Sequence, residues 1–170
     1  LLIGLAPWVI TLLYSSAFEP AATLLQWQMV GNVFKLASWA MSFSIVAAAR
    51  GKTFFIMELS FNIVFLAMIW FLLPRLGLMV SAIAFLVAYM VYFIISYTVA
   101  RRIHGFRWQG LSLQLLALHG SLALTLLGVA QFFPLAAAIS SPLLALATAL
   151  VGLRVVLIKM GPEGQVATRL

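Results

Sequence analysis

Apolar runs of membrane-spanning length dominate this chain and restrict what it can fold into. The predicted runs cover 1–14, 21–48, 53–73, 77–100, 110–133 and 136–158. All but the first reach the ~20 residues that an α-helix needs to cross a bilayer. The 170 residues are 65% hydrophobic and 8% charged, which is more apolar surface than a soluble domain can bury. We therefore predict an all-α, polytopic transmembrane helix bundle over 1–160 and a short C-terminal tail over 161–170.

The first run is shorter than the others and begins without an initiating Met. It has neither the basic flank nor the small-residue cleavage site of a signal peptide. We interpret it as the second half of a helix that starts outside this sequence. The chain is thus expected to be a fragment with about six membrane segments, of which the first is partial.

The basic residues are distributed unequally between the connectors, and this asymmetry predicts the orientation of the helices. Of the 10 Lys and Arg residues, all but Lys35 and Arg75 fall in the connectors 49–52 and 101–109 or after 153. Cytoplasmic segments collect Lys and Arg, so these connectors and the C-terminus are predicted to be cytoplasmic. Because the net charge of +7 is spread over short connectors instead of one patch, we expect no nucleic-acid partner.

One lysine stands within an apolar run, at the centre of the second predicted helix. At ~100° per residue, Gln28, Asn32, Lys35, Trp39 and Ser42 fall within an arc of roughly 80° on one face. A lysine at the centre of a lipid-facing helix costs about 2.5–3.5 kcal/mol, so this face is expected to line a bundle interior or a wet cavity. Lys35 is then a structural ion-pair partner, a snorkelling side chain, or a fixed charge that attracts an anion such as phosphate. The polar neighbours favour the last alternative and a membrane transporter.

Two further groups of polar residues are candidates for a functional site. Glu58 and Asn62 lie at i, i+4 and share a face of the third helix, where Glu58 either pairs with a nearby base or takes part in coupling. A direct bridge from Lys35 to Glu58 would need extended side chains or tilted helices, because Lys35 is predicted to lie about 10 Å deeper. Tyr89 and Tyr92 belong to a face of the fourth helix that suits either sugar stacking or ordinary packing.

Signatures of catalysis and of metal binding are missing from the sequence. There is no phosphate-binding GxxxxGK[ST], no HExxH and no GxSxG, and the chain has no cysteine. With 3 acidic residues and 2 histidines scattered along the chain, no acid–base pair and no metal cluster can be assembled. We therefore expect neither an enzyme nor a catalytic residue, a cofactor or a metal site.

The segment LAPWVITLLYSSAFEPAATLLQWQMVGNVFKLASWAMSF, the acidic Glu58 and the later AYMVY together resemble one family of exporters. They resemble the Wzx-type O-antigen and polysaccharide flippases of the multidrug/oligosaccharidyl-lipid/polysaccharide (MOP) exporter superfamily. The most specific part is WQ-x-x-GN-x-x-K-x-x-x-W, formed here by Trp27, Gln28, Gly31, Asn32, Lys35 and Trp39. An acidic residue is common in the family where Asn32 stands, so one charge is lost here. The similarity covers approximately 1–109.

This resemblance implies an architecture and a substrate. It implies two six-helix lobes around a V-shaped cavity, with this chain supplying the latter part of the second lobe and two extra helices, and with the N-terminal lobe of the same protein as a partner. The substrate would be an undecaprenyl-pyrophosphate-linked oligosaccharide, an O-antigen or similar repeat unit, flipped by alternating access across the bacterial inner membrane from the cytoplasmic to the periplasmic leaflet.

The site roles follow from the resemblance together with the helical faces. The expected substrate-binding residues are Lys35, Gln28, Asn32, Trp39, Tyr89 and Tyr92, and the residues of possible coupling are Glu58 and Asn62. Two rival functions remain open. One is a cation-coupled drug exporter of the same superfamily, which would need acidic or amphipathic cavity residues, and the other is a non-transporting membrane remnant.

The orientation can be tested by cysteine labelling in the complete protein, after replacement of any cysteine outside this cysteine-free chain. In intact cells, an impermeant thiol reagent should leave Arg102→Cys unlabelled and should label Arg75→Cys, because the two positions are predicted to lie on opposite sides of the membrane. After permeabilisation both should react. The reverse pattern in intact cells would contradict the assignment.

Overall fold

The computed structural model describes residues 1–14 and 16–160, and the helices alone form its regular structure in those ranges. The six α-helices are α1 (Leu2–Leu13), α2 (Glu19–Ala47), α3 (Gly51–Leu76), α4 (Met79–His104), α5 (Gly110–Phe132) and α6 (Pro134–Met160), with a 3-10 turn at Ser16–Phe18 between α1 and α2. Helices α2 to α6 are long and apolar enough to cross a membrane. The predicted all-α polytopic bundle is confirmed, whereas the predicted tail over 161–170 lies outside the described residues.

Several helices are longer than the apolar runs from which they were predicted, because polar residues extend their ends. Helix α2 begins at Glu19 with Pro20 in its first turn, since proline has a preset φ and an acid favours the positive end of the helix dipole. Helix α4 continues through Arg101 to His104 and is followed by Gly105, whose φ of 63° is left-handed. Hydropathy alone misses such ends, because the residues that begin and end helices are polar.

Helix α2 is the centre of the bundle. It packs most extensively against α4 and also contacts α1, α5 and α3, while α6 packs on α1 and α5. The packing forms two apolar clusters. One surrounds Val30 of α2 and includes residues of α1, α5 and α6, and the other surrounds Met41 of α2 and includes residues of α3 and α4.

Two glycines let helices approach closely. A methyl group at Gly4 of α1 would overlap the backbone carbonyl of Ala137 and the hydroxyl of Ser141 in α6. A Cβ atom at Gly31 of α2 would lie 2.7 Å from a ring carbon of Phe85 in α4. Small residues at helix contacts are a usual means of close packing in membrane bundles. At Gly31 the close approach brings the Phe85 ring alongside the polar face of α2.

A buried glutamine joins α1, α2 and α5. Pro7 lies inside α1 and has no N–H, so the carbonyl of Ile3 lacks its usual donor one turn ahead. The Nε2 atom of Gln26 donates to that carbonyl at 2.8 Å, and the Nε2 atom of Gln131 donates to Oε1 of Gln26 at 3.1 Å. Gln26 is 3% exposed. Its side chain thus satisfies the backbone group that the proline leaves free.

Replacement of Gln26 should destabilise the bundle through the Ile3 carbonyl. Gln26→Leu leaves that buried acceptor without a donor and should cost about 1–3 kcal/mol. The cost should appear as a lower thermal midpoint of the complete protein in detergent, with the exposed Gln114→Leu on α5 as the matched control. In a Pro7→Ala background the restored amide should bond Ile3, so Gln26→Leu should cost less there. An equal cost in both backgrounds would contradict this account.

Candidate functional site

A cleft with aromatic and charged walls lies between α2, α3 and α4. Its volume is about 410 Å³, and it is lined by Trp39, Ser42, Phe43, Phe54, Glu58 and Tyr89. Aromatic rings form most of its surface, while the carboxylate of Glu58 and the hydroxyls of Ser42 and Tyr89 are the oxygen-bearing groups of its lining residues. Cavities of this size with a few polar groups on aromatic walls are typical of small-molecule sites.

The ammonium group of Lys35 lies beside this cleft and is surrounded by aromatic rings. Its Nζ atom is 4.8 Å from the ring centroid of Trp39, 5.6 Å from that of Tyr89 and 5.8 Å from that of Phe85. Trp39 and Tyr89 also line the cleft, so the ammonium group and the cleft share two walls. A cation over aromatic faces gains about 0.5–2 kcal/mol per ring without being neutralised. The half-buried lysine is therefore stabilised by aromatic faces.

The carboxylate of Glu58 is held by a separate chain of hydrogen bonds. The hydroxyl of Tyr92 donates to Oε1 of Glu58 at 2.6 Å and lies 3.1 Å from Oγ of Ser42. Oγ of Ser42 is in turn 3.5 Å from Oγ of Ser96. Tyr92, Ser42 and Ser96 are buried, so this chain crosses from α3 through α4 to α2 inside the bundle. It fixes the carboxylate at the wall of the cleft.

The two predicted tyrosines occupy different places in the site. Tyr89 faces the cleft, and its ring packs 4.4 Å from the ring of Phe61 and 4.7 Å from that of Phe85. Tyr92 is 1% exposed and lies behind the wall, where its hydroxyl holds Glu58. Of the two uses that the sequence left open, ring contact with a ligand thus suits Tyr89 and buried packing with a bonded hydroxyl describes Tyr92.

The other predicted residues lie apart from the cleft wall. Gln28 is half-buried on α2, and Asn32 contacts Sδ of Met29 through Nδ2 at 3.6 Å. Asn32 lines a different cavity, of about 350 Å³, between α2 and α5. Asn62 is exposed, and its Nδ2 donates to the backbone carbonyl of Glu58 at 2.8 Å. The substrate-binding and coupling roles of these three residues stay predictions.

Some residues of the site did not stand out in the sequence. Phe43 and Phe54 line the cleft, yet in the sequence they are ordinary members of apolar runs. Gln26, which holds α1 against α2, is not on the predicted polar face that includes Gln28. A signal for Gln26 does exist, because a proline inside a predicted helix leaves a carbonyl that needs a donor. Within the described residues, no group of three His, Asp or Glu side chains could hold a metal ion.

The fold and the cleft define a polytopic α-helical membrane protein with a charged aromatic cleft among three of its helices. Over 89 residues the chain is 29% identical to the lipid III flippase of Escherichia coli (strain K12) and to that of Shigella flexneri. The match covers 52% of this chain and 21% of each relative, so it spans about a fifth of the relatives' length. No family model matches the chain, and no solved structure matches it.

The hydrogen bond between Tyr92 and Glu58 can be measured with a double-mutant cycle. Tyr92→Phe removes the donor and leaves a carboxylate in the bundle short of a partner, so it should lower stability by about 1–3 kcal/mol. In a Glu58→Gln background the same change should cost less, because a neutral amide is easier to leave unpaired. Thermal midpoints of the complete protein in detergent report the coupling, and Tyr97→Phe on the same helix is the control. If the stability losses of the two single variants simply add in the double variant, the hydrogen bond contributes nothing to stability.

Proposed function

We propose that this chain forms part of a flippase that moves a lipid-linked oligosaccharide across the bacterial inner membrane. The substrate is an undecaprenyl-pyrophosphate-linked O-antigen or similar polysaccharide repeat unit, and it passes from the cytoplasmic to the periplasmic leaflet by alternating access. The proposal takes its substrate class from the Wzx-type motif around Lys35 and from the similarity to proteins named lipid III flippase. The protein is proposed to act without a cofactor and without catalysing a reaction.

The environment of Lys35 is the observation that carries this proposal. Its ammonium is stabilised by the rings of Trp39, Tyr89 and Phe85, whereas the carboxylate of Glu58 is bonded to Tyr92. The two charges have separate partners, so the positive charge is free to attract a pyrophosphate. Lysine suits this role because its compact charge binds phosphate without demanding one geometry. In a low-dielectric cavity the attraction is much stronger than in bulk water.

The remainder of the cleft suits the sugar part of the same molecule. Trp39 is 42% exposed, so its ring is open to the apolar face of a sugar, whereas Tyr89 is 9% exposed and offers only the part of its side chain that lines the cleft. Glu58 is an acceptor for sugar hydroxyls, and its charge disfavours a phosphate in its immediate neighbourhood. The phosphate is thereby directed to Lys35 and the uncharged sugar to the Glu58 side of the cleft.

The proposed flippase is a larger protein of which this chain is one part. The chain supplies the latter part of the second lobe, and the first lobe of the same protein faces it across the central cavity. The basic connectors and the C-terminus are cytoplasmic. Gln28 and Asn32 extend the polar face of α2 toward that cavity, and Glu58 with Asn62 is the proposed place of coupling to an ion or proton gradient.

A cation-coupled drug exporter is the second candidate, and one feature of the cleft supports it. Aromatic walls around the Glu58 carboxylate also suit a lipophilic organic cation. The positive charge of Lys35 at two of the same walls opposes that ligand, which is why the flippase is preferred. In a drug exporter, ethidium efflux would fall with Glu58→Gln and would rise or stay the same with Lys35→Gln.

Charge at position 35 should decide whether the complete protein exports glycan. Lys35→Ala and Lys35→Gln should abolish the surface glycan in a complementation assay, because the anion loses its attracting charge. Lys35→Arg should retain partial export, since the charge survives with another shape. Lys52→Gln, an exposed lysine at the beginning of α3, is the matched control and should export normally.

Membrane levels of each variant, measured by immunoblot, must match those of the unmodified protein. Full export by Lys35→Gln would mean that the charge is unnecessary and would overturn the proposed role. A chain that is a non-transporting remnant would leave glycan export unchanged for every substitution at position 35.

A further inference from the structure

A third cavity lies where α4 ends and α5 begins, and it shares no lining residue with the Lys35 cleft. Its volume is about 570 Å³, and it is lined by Phe93, Tyr97, Arg101, Arg107, Trp108 and Leu113. Because α4 ends at His104 and α5 begins at Gly110, both arginines are at a helix end or in a connector. The mouth of the cavity is therefore at the membrane surface and its floor is in the apolar part of the bundle.

The charged residues that line this cavity are all basic. Arg101 and Arg107 line it, and its lining includes no carboxylate. The segment 101–110 contains a further arginine and no acidic residue. Guanidinium groups bind phosphate oxygens in bidentate geometry, and basic pockets between membrane helices are suited to phosphate-bearing headgroups.

The floor of the cavity is aromatic and contains an unused donor. The ring of Trp108 lies 6.2 Å from that of Phe93 and 5.4 Å from that of Phe106, and the latter is 6.4 Å from the ring of Tyr97. The Nε1 atom of Trp108 is buried and has no hydrogen-bond partner in the described part of the chain. Buried donors normally have an acceptor, and Trp108 lines both this cavity and the one between α2 and α5, so its indole N–H favours a ligand that brings an acceptor to either of them.

The cavity changes from charged to apolar along α4. Phe93 precedes Arg101 by two helical turns, which places it about 12 Å deeper at 1.5 Å per residue. An inorganic anion would use the arginines and leave the apolar floor uncovered. A lipid would use both, with its headgroup at the arginines and the first part of a chain along Phe93 and Leu113.

We propose that this cavity is a binding site for an anionic membrane phospholipid. Arg101 and Arg107 bind its phosphate, Trp108 donates to a phosphate or ester oxygen, and an acyl chain covers Phe93 and Leu113. None of its residues lines the Lys35 cleft, although Trp108 also lines the cavity between α2 and α5 to which Asn32 belongs. Arg101 and Arg107 line neither of those two, so substitutions of the arginines test this site separately from the proposed transport function.

Native mass spectrometry of the complete protein with added phosphatidylglycerol tests this site. The double variant Arg101→Gln/Arg107→Gln should bind the lipid about thirtyfold more weakly, since each arginine near a charged membrane lipid contributes roughly fivefold. The matched control is Arg50→Gln/Arg102→Gln, which removes the same charge from exposed positions outside the cavity and should bind as the unmodified protein does. Arg101→Lys/Arg107→Lys should bind at an intermediate level.

The probes separate the possible ligands. Phosphatidylcholine should bind weakly to all variants, and inorganic phosphate should not compete with phosphatidylglycerol at equal concentration. Equal losses of lipid affinity in Arg101→Gln/Arg107→Gln and in Arg50→Gln/Arg102→Gln would overturn the proposal, because general surface charge would then explain the binding. Arginine-dependent competition by inorganic phosphate would replace the lipid site by a free-anion site. Tighter arginine-dependent binding of a short-chain prenyl pyrophosphate would replace it by a site for the transported lipid.

Discussion

A polar group inside a membrane bundle needs a partner from the protein, because hydrocarbon supplies none, and this constraint organises the packing around α2. Several hydroxyl groups meet it within their own helix, as Ser38 does by donating to the carbonyl of Phe34. Other polar side chains connect helices. Gln26 donates to the carbonyl that Pro7 leaves free in α1, and Ser42 contacts Tyr92 of α4. Contacts that satisfy buried polar groups thus also fix which helices lie beside α2.

Lys35 and Glu58 are charged side chains inside the bundle, and each is stabilised by a different kind of contact. A direct ion pair between Lys35 and Glu58 would satisfy both and would leave a neutral cleft. Instead the ammonium contacts aromatic rings and the carboxylate accepts a hydrogen bond from Tyr92. Cation–π contacts stabilise a charge without cancelling it. A positive charge consequently lies beside the cleft and a negative charge at its wall, which suits the proposed ligand with its anionic part and its hydroxyl-rich part.

Helix α4 separates this cleft from the cavity at the membrane surface. Tyr92 and Phe93 are neighbours in sequence and point about 100° apart on the helix, so Tyr92 supports the cleft and Phe93 lines the other cavity. The cleft is lined by the Glu58 carboxylate and has the Lys35 ammonium beside it, whereas the charged residues that line the other cavity are arginines alone. This difference in charge is the reason for assigning the former to a transported molecule and the latter to a membrane lipid.

The sequence by itself determined the helices and their faces. Apolar runs of sufficient length must form helices in a bilayer, and the periodicity of ~100° per residue placed Lys35, Trp39 and Ser42 on one face of α2. Only the tertiary structure decided what those faces meet. That Phe85 reaches Lys35 past Gly31, and that Glu58 meets Tyr92 and not a lysine, depends on the depth and rotation of one helix against another. These are set by packing between residues far apart in the chain, and no local pattern encodes them.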